Sequence, residues 1–545
     1  MSKLLILALD GATFSLLEPW MQAGALPNLA AFKTKAAYGT LESTIPPITG
    51  AAWTTFQTGT NPGKHGVFDW LRRDPQGYNL VPISARMLSQ PTLWELLSAH
   101  DRRVSVLGVP VTYPPRPVNG FVVSGLLAPP GAAYTYPKSL QAELERAVPG
   151  YTTMPEHWQG RYQSRAWLDK LKASLKRKLA ATHFMLKKPW DVFMVHFMET
   201  DTVQHQMWQL IDGVPRPRYH AEDVGENAIL EVFRAFDRAL PELLAAAGAQ
   251  TTVVILSDHG FGPLYWNIHL NNWLLRHGFL KLKRGAPTLL KRASFFGLGL
   301  TPEGMYPFAE RSGYLGRNAQ LRHAQIYRRM GRVFLSHQNI DWKRTRAYSF
   351  GNVGQIYLNR RGRDPQGIVS DAERPSLLDE LQAGLSELKN PSDGERVLEH
   401  LFRKEAIYHG PAVNEAPELM LQPQEGYMAV GTSEFVSRHT ISPAFAGSGW
   451  HRMDGILMTR GPHVRPGQVH GARLVDMAST LLYEQGLPVP SSFDGVVLER
   501  LFQPEFLSQN PMKNGHAAPS SKHNGQLPEG YEEEIRKRLQ SLGYI

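Results

Sequence analysis

Val253-Val254-Ile255-Leu256-Ser257-Asp258-His259-Gly260 is the stretch whose reading decides the fold. Four aliphatic residues follow one another without polar alternation, as in a strand buried on both faces, and then break into polar residues. The same sentence of sequence recurs three times. Leu4 to Leu9 runs into Asp10-Gly11, Val104 to Val109 runs into Pro110, and Val192 to Phe197 leads to Glu199 and Asp201. Helical spacing fills the intervals. Leu168, Leu171, Leu175 and Leu179 recur every three or four residues, and Ile229, Val232, Phe233, Phe236 and Leu240 form a second stripe that Pro241 is expected to close. Alternating strands and helices predict an α/β fold with a mostly parallel central sheet. In such sheets ligands gather at the carboxyl ends of the strands, so Asp10, Asp201 and Asp258 stand where chemistry is expected.

Composition narrows the chemistry. The 545 residues exceed one minimal core, and 42% hydrophobic with 20% charged residues is a globular balance. The absence of cysteine excludes disulfides, thiolate zinc sites, iron–sulfur clusters and a cysteine nucleophile. Any metal must be held by His, Asp, Glu or a hydroxyl. The apolar run at Leu4–Leu9 is too short for a signal peptide, and no stretch reaches the ~18 apolar residues of a membrane span. A soluble cytoplasmic protein is the expectation. A net charge of +10 suits nucleic acid, a membrane surface or an anionic substrate equally.

Two stretches fit the strand–helix rhythm poorly and are read as cap insertions, at about residues 130–165 and 280–345. Residues 503–530, with two Asn-Gly pairs and several Pro and Ser, read as a flexible linker. Residues 531–545 read as a docking helix with acids first and bases later, Ile535, Leu539 and Leu542 sharing one face.

Metal-ligand types cluster at the strand ends. Asp10 follows the first strand, Asp201 and His205 share a helical face at i, i+4, Asp258 and His259 are adjacent, and His451 lies in Gly449-Trp450-His451-Arg452-Met453-Asp454-Gly455. Three carboxylates and three imidazoles suit zinc or manganese and exceed one tetrahedral site, which admits two ions. Taken singly, each has an ordinary structural use as a cap, a solvated pair or a turn.

Their order along the chain resembles the type I phosphodiesterase/nucleotide pyrophosphatase family of the alkaline phosphatase superfamily. The resemblance rests on Leu9-Asp10-Gly11, Leu26-Pro27-Asn28-Leu29, Ile48-Thr49-Gly50-Ala51-Ala52-Trp53 through Thr58-Gly59, and Pro62-Gly63-Lys64-His65-Gly66. It continues through Thr200-Asp201 to His205, Ser257-Asp258-His259-Gly260, His451 to Gly455, and Asp476 to Gly495. It implies a three-layer α/β/α catalytic domain over residues 1–502. It also implies two divalent ions, zinc or manganese: Asp10, Asp258 and His259 for the ion that binds the nucleophile, and Asp201, His205 and His451 for the second. Thr49 matches the nucleophile, giving a phospho-threonine intermediate, where the ordinary alternative is a helix N-cap. The implied reaction is hydrolysis of phosphodiester or pyrophosphate bonds; a phosphomonoesterase or phosphotransferase is the alternative, and a non-catalytic anion-binding protein ranks last. Val67-Phe68-Asp69-Trp70 lacks the asparagine that nucleotide-cleaving members often place after His-Gly, so the expected partner is a small phosphorylated substrate rather than a nucleotide specifically; the basic residues lie largely outside the motif segments, so nucleic acid is not expected. Lys170–Lys178 reads as a solvated helix face. Lys281–Arg284 and Lys291-Arg292 read as solvated loop, with a cap facing polyanions as the alternative.

Overall fold

A computed structural model of the chain describes residues 3–542 except 75–76, 130, 155–163, 215–223, 226, 306–332, 432–434, 445–446, 517–526 and 529. Its centre is a ten-stranded sheet. Leu4–Leu9 lies between Val192–Phe197 and Thr252–Leu256, parallel to both, and Val104–Leu107 and Gly120–Val123 continue the parallel run. Antiparallel Asp454–Arg460 extends the other side, followed by Ala37–Glu42.

The uninterrupted apolar runs pack both faces of this sheet. Leu5, Leu7 and Leu9 join Phe193, Val195 and Phe197 in one core, under the helices Phe14–Gln22, Pro27–Lys33, Arg165–Leu186 and Ala228–Ala247. Leu4, Ile6 and Ala8 join Val192 and Met194 in the other, under Thr49–Thr58, Leu93–Ala99 and Asp476–Glu484. The result is the expected α/β/α arrangement. Each fully buried aliphatic side chain contributes about 1.5–3 kcal/mol, and the alternation fixes register because a one-residue slip would exchange the two faces.

Several local expectations are corrected. The helix Ala228–Ala247 runs through Pro241 instead of closing there. Proline at 241 cannot donate to the Asp237 carbonyl, and the side-chain amide of Asn28 donates to that carbonyl instead, at 3.0 Å. Lys178 is buried, not solvated, because it sits three residues past Leu175 on the packed face; its ammonium lies 3.4 Å from the Tyr151 hydroxyl. Burial holds that ammonium below its ordinary pKa, with Glu199 acting in the opposite direction. Residues 131–154, expected in a cap, belong to the main body. Thr135–Tyr136 is an edge strand of the large sheet, and the helix Ser139–Ala147 buries Leu140 and Leu144 in its core. The remainder of that segment, like 306–332 of the second expected cap, falls largely outside the described residues.

The segment read as a linker is docked over its first part. Pro504–Gln509 is helical and Asn514-Gly515 pairs with Val489-Pro490. The final helix, Tyr531–Leu542, buries Tyr531, Ile535 and Leu539. Two further four-stranded sheets stand beside the main one among the described residues. One is antiparallel and comprises Ala347–Phe350, Gln355–Leu358, Leu398–Arg403 and Leu419–Pro423. The other is built on Gly260–His269, which pairs with Gly426–Val430, Ile441–Pro443 and Gly449–Arg452.

Candidate active site

Three adjacent strands deliver the three carboxylates. Asp258 follows Thr252–Leu256, Asp10 follows Leu4–Leu9, and Val192–Phe197 feeds the helix Glu199–Met207 that carries Asp201 and His205. Because these strands are parallel and in register, all three chain ends emerge on one rim. His451 arrives from far along the chain through strand pairing, where Phe261 lies opposite His451 and Gly260 opposite Arg452. Thr49 is the first residue of the helix Thr49–Thr58, whose Trp53 and Phe56 pack on the sheet.

All seven residues are buried and converge. The Nε2 atom of His259 is 3.2 Å from Thr49 Oγ1, 3.4 Å from Asp10 Oδ1 and 3.3 Å from Asp258 Oδ2. His451 Nε2 is 3.2 Å from Asp201 Oδ1, and His205 Nε2 is 3.4 Å from the same oxygen and 3.0 Å from His451 Nε2. Asp10, Asp258 and His259 form one potential metal group, and Asp201, His259 and His451 form another. The two sets implied by the resemblance therefore meet as one continuous cluster, with His259 at the junction and His205 completing the second side.

The surroundings orient these ligand atoms. Each imidazole has its Nδ1 on a backbone carbonyl: His205 on Gly449 at 3.1 Å, His259 on Gly260 at 3.0 Å and His451 on Pro47 at 2.8 Å. That arrangement makes Nδ1 the donor and presents the Nε2 lone pair to the centre, as in metal-binding histidines. Asp10 Oδ2 accepts from His196 Nε2 at 2.6 Å and from Trp53 Nε1 at 2.9 Å. Asp10 Oδ1 and Asp258 Oδ2 have no hydrogen-bond partner among the described residues. Buried acceptors aimed at buried acceptors need positive charge between them, so the donor set fits divalent cations.

Electrostatics point the same way. Burial, reinforced by the Asp10 and Asp201 carboxylates, raises Asp258 well above the ordinary carboxylate range. Burial also raises Asp201, but the His205 and His451 imidazoles outweigh it and hold that carboxyl well below the range. His259 is pushed down to about 3, by burial and then by His451. A neutral imidazole is the form that binds metal.

Close approach demands glycine at two places. Gly11 has φ +66°, and a Cβ there would meet the Phe261 ring at 2.8 Å. A Cβ on Gly449 would lie 2.5 Å from the Gln204 carbonyl, so the strand bearing His451 could not reach the helix bearing His205. The sequence motifs include Trp53 and Thr200 without showing that both bond to Asp10, the Thr200 hydroxyl donating to its carbonyl at 2.7 Å, and His196 lies outside them. His196 did carry a signal, as the one polar side chain within the apolar run Val192–Phe197.

The sequence profile of the type I phosphodiesterase / nucleotide pyrophosphatase family matches residues 4–442. The chain belongs to that family. It is accordingly a phosphohydrolase on an alkaline-phosphatase-like scaffold, and its family is metal-dependent. Among curated proteins none matches. Among solved structures, phosphonoacetate hydrolase from Sinorhizobium meliloti 1021, in complex with phosphonoacetate, is 15% identical with a TM-score of 0.50, covering 88% of this chain and 94% of its own. Human ectonucleotide pyrophosphatase / phosphodiesterase 5 is 12% identical with a TM-score of 0.50, covering 92% of this chain and 100% of its own. At such identities the likeness is one of fold. No helix among the described residues is long and apolar enough to cross a membrane.

Proposed function

We propose that the protein hydrolyses phosphodiester or pyrophosphate bonds in a small phosphorylated substrate, with Thr49 as the nucleophile. The observation that carries the reading is the placement of the Thr49 hydroxyl. It makes no cap for its own helix, whose N-cap is Ile48, and lies 3.2 Å from His259 Nε2 within the buried Asp/His cluster. The hydroxyl is thus left for chemistry.

Asp10, Asp258 and His259, with Thr49, would hold one divalent ion, and Asp201, His205 and His451 a second. Zinc or manganese suits this oxygen and nitrogen donor set. Bound there, the ions would supply the Lewis acidity that lowers the Thr49 hydroxyl pKa and balances charge on the attacking and leaving oxygens. The chain's own residues do the rest. Thr49 Oγ attacks phosphorus in line, the leaving oxygen departs, and water then cleaves the Thr49 phosphoester. First-turn N–H groups of Thr49–Thr58, which have no carbonyl partner within the helix, add partial positive charge beside the nucleophile. Backbone carbonyls on the three Nδ1 atoms keep the rings from turning, and burial limits stray water.

This reading takes residues 1–502 as the catalytic domain and the cytoplasm as its place of action, where a chain free of cysteine loses nothing to the reducing environment. The test is turnover of bis(p-nitrophenyl) phosphate against p-nitrophenyl phosphate by the full chain loaded with zinc or manganese. Preference for the diester supports the proposal. Turnover of the monoester alone moves the assignment to a phosphomonoesterase or phosphotransferase, and no turnover of either with both ions bound overturns it.

A further inference from the structure

The basic segment at residues 281–305 takes no part in the site, yet its surface is unusual. Ten large apolar residues are exposed among those described, and five of them, Leu289, Leu290, Leu298, Leu300 and Met305, fall within this one stretch. Leu290 is 71% and Leu298 75% exposed. Isolated exposed leucines need no explanation, but a cluster of this kind marks an interaction surface.

The leucines are presented by an anchored scaffold. Phe295 is fully buried, Thr288 accepts from the Asn339 side-chain amide at 3.1 Å, and Leu282 pairs with Ile340. The short helix Ala286–Arg292 is held at its buried face while Leu289 and Leu290 face outward.

Charge identifies what the surface fits. Residues 281–305 hold five Lys or Arg and a single acid, Glu303, which is buried. Lys281, Lys283, Arg284 and Arg292 are exposed in the same stretch as the leucines. Exposed Leu side chains fringed by Lys and Arg are the composition of segments that lie in an anionic lipid interface. A protein partner fits less well, because the cores of protein interfaces are depleted in Lys. We propose that residues 281–305 dock this protein on the surface of an anionic phospholipid bilayer, the leucines entering the headgroup boundary and the basic side chains meeting lipid phosphates and carboxylates.

Flotation of the full chain with vesicles tests this. Phosphatidylcholine vesicles are compared with vesicles holding about 30 mol% phosphatidylserine, at low and high salt. Flotation with the anionic vesicles only, weakened by salt, is the expected result. At roughly fivefold per basic side chain, the triple variant Lys283→Ser, Arg284→Ser, Arg292→Ser should partition about a hundredfold less well. Leu290→Glu with Leu298→Glu should abolish flotation while leaving turnover of a soluble ester unchanged, which separates lost docking from lost fold. Absence of flotation on anionic vesicles overturns the proposal, as does equal flotation by wild type and the leucine variant. Sedimentation showing a dimer that the leucine variant dissolves, without vesicle binding, also overturns it and gives the patch to a second copy of the chain.

Discussion

Replacing His196 by leucine isolates the step that aims Asp10. In the folded protein Asp10 is buried, with Oδ2 held by His196 at 2.6 Å and Trp53 at 2.9 Å, so that Oδ1 turns toward His259. Leucine removes the shorter of the two hydrogen bonds and supplies no donor. A hydrogen bond to a charged group contributes about 1.5–3 kcal/mol, a factor of roughly 10–150 in an equilibrium constant. Outer partners of metal ligands typically matter by about 10–100-fold. The expected outcome is therefore one of the two ions bound some 10–100-fold more weakly, with the other little changed, measured by competition against a chromophoric chelator. His196→Gln, which keeps an amide donor at similar reach, should recover part of the loss. Thermal melts without metal check that the leucine variant folds. Wild-type affinity for both ions in His196→Leu would refute the reasoning, because it would mean that Trp53 alone positions the carboxylate.

Other outcomes follow from particular contacts. Gly449→Ala places a methyl 2.5 Å from the Gln204 carbonyl, so the strand bearing His451 must shift; metal titration should show the second ion weakened at least about tenfold. His65 is buried with a pKa lowered to about 3 by burial, its Nδ1 accepting from the Val67 amide. The unfolded chain therefore binds more protons than the folded one between about pH 6.5 and 3, so stability falls as pH falls through that window. In His65→Gln the dependence on pH should be shallower by about 1.4 kcal/mol per unit, measured by urea unfolding at several pH values. Ile535→Ala, at a fully buried position in the last helix, should lower unfolding free energy by about 2–4 kcal/mol in the same assay; no change would show that this helix is not part of the folded body.

The central layer was legible because its physics is local. An aliphatic run of four to six residues without alternation can only be covered on both faces, and the polar residue that ends it must then sit at the rim. That logic places Asp10, Asp201 and Asp258 at the rim from the sequence alone. What escaped was set by distant pairing. Nothing near His451 states that its strand lies beside Gly260–Pro263, and the antiparallel sheet of Ala347–Phe350 and its partners forms through contacts far apart in sequence. Polar residues on packed faces were misread for the same reason. Lys178 looks like one more solvated lysine until Tyr151 and Glu199 are placed beside it, and His196 has no assigned use until Asp10 is. Residues 131–154 looked like cap because their Pro and Gly content hides an edge strand of two residues.

Thr49→Ala tests the central claim most directly, with metal content and ester turnover measured on the same sample. Two divalent ions per chain should be retained by the Asp and His side chains, and turnover of bis(p-nitrophenyl) phosphate should fall by roughly four orders of magnitude or more. Wild-type turnover in Thr49→Ala with both ions bound would contradict it, because the phosphoryl group would then have no need of the Thr49 oxygen.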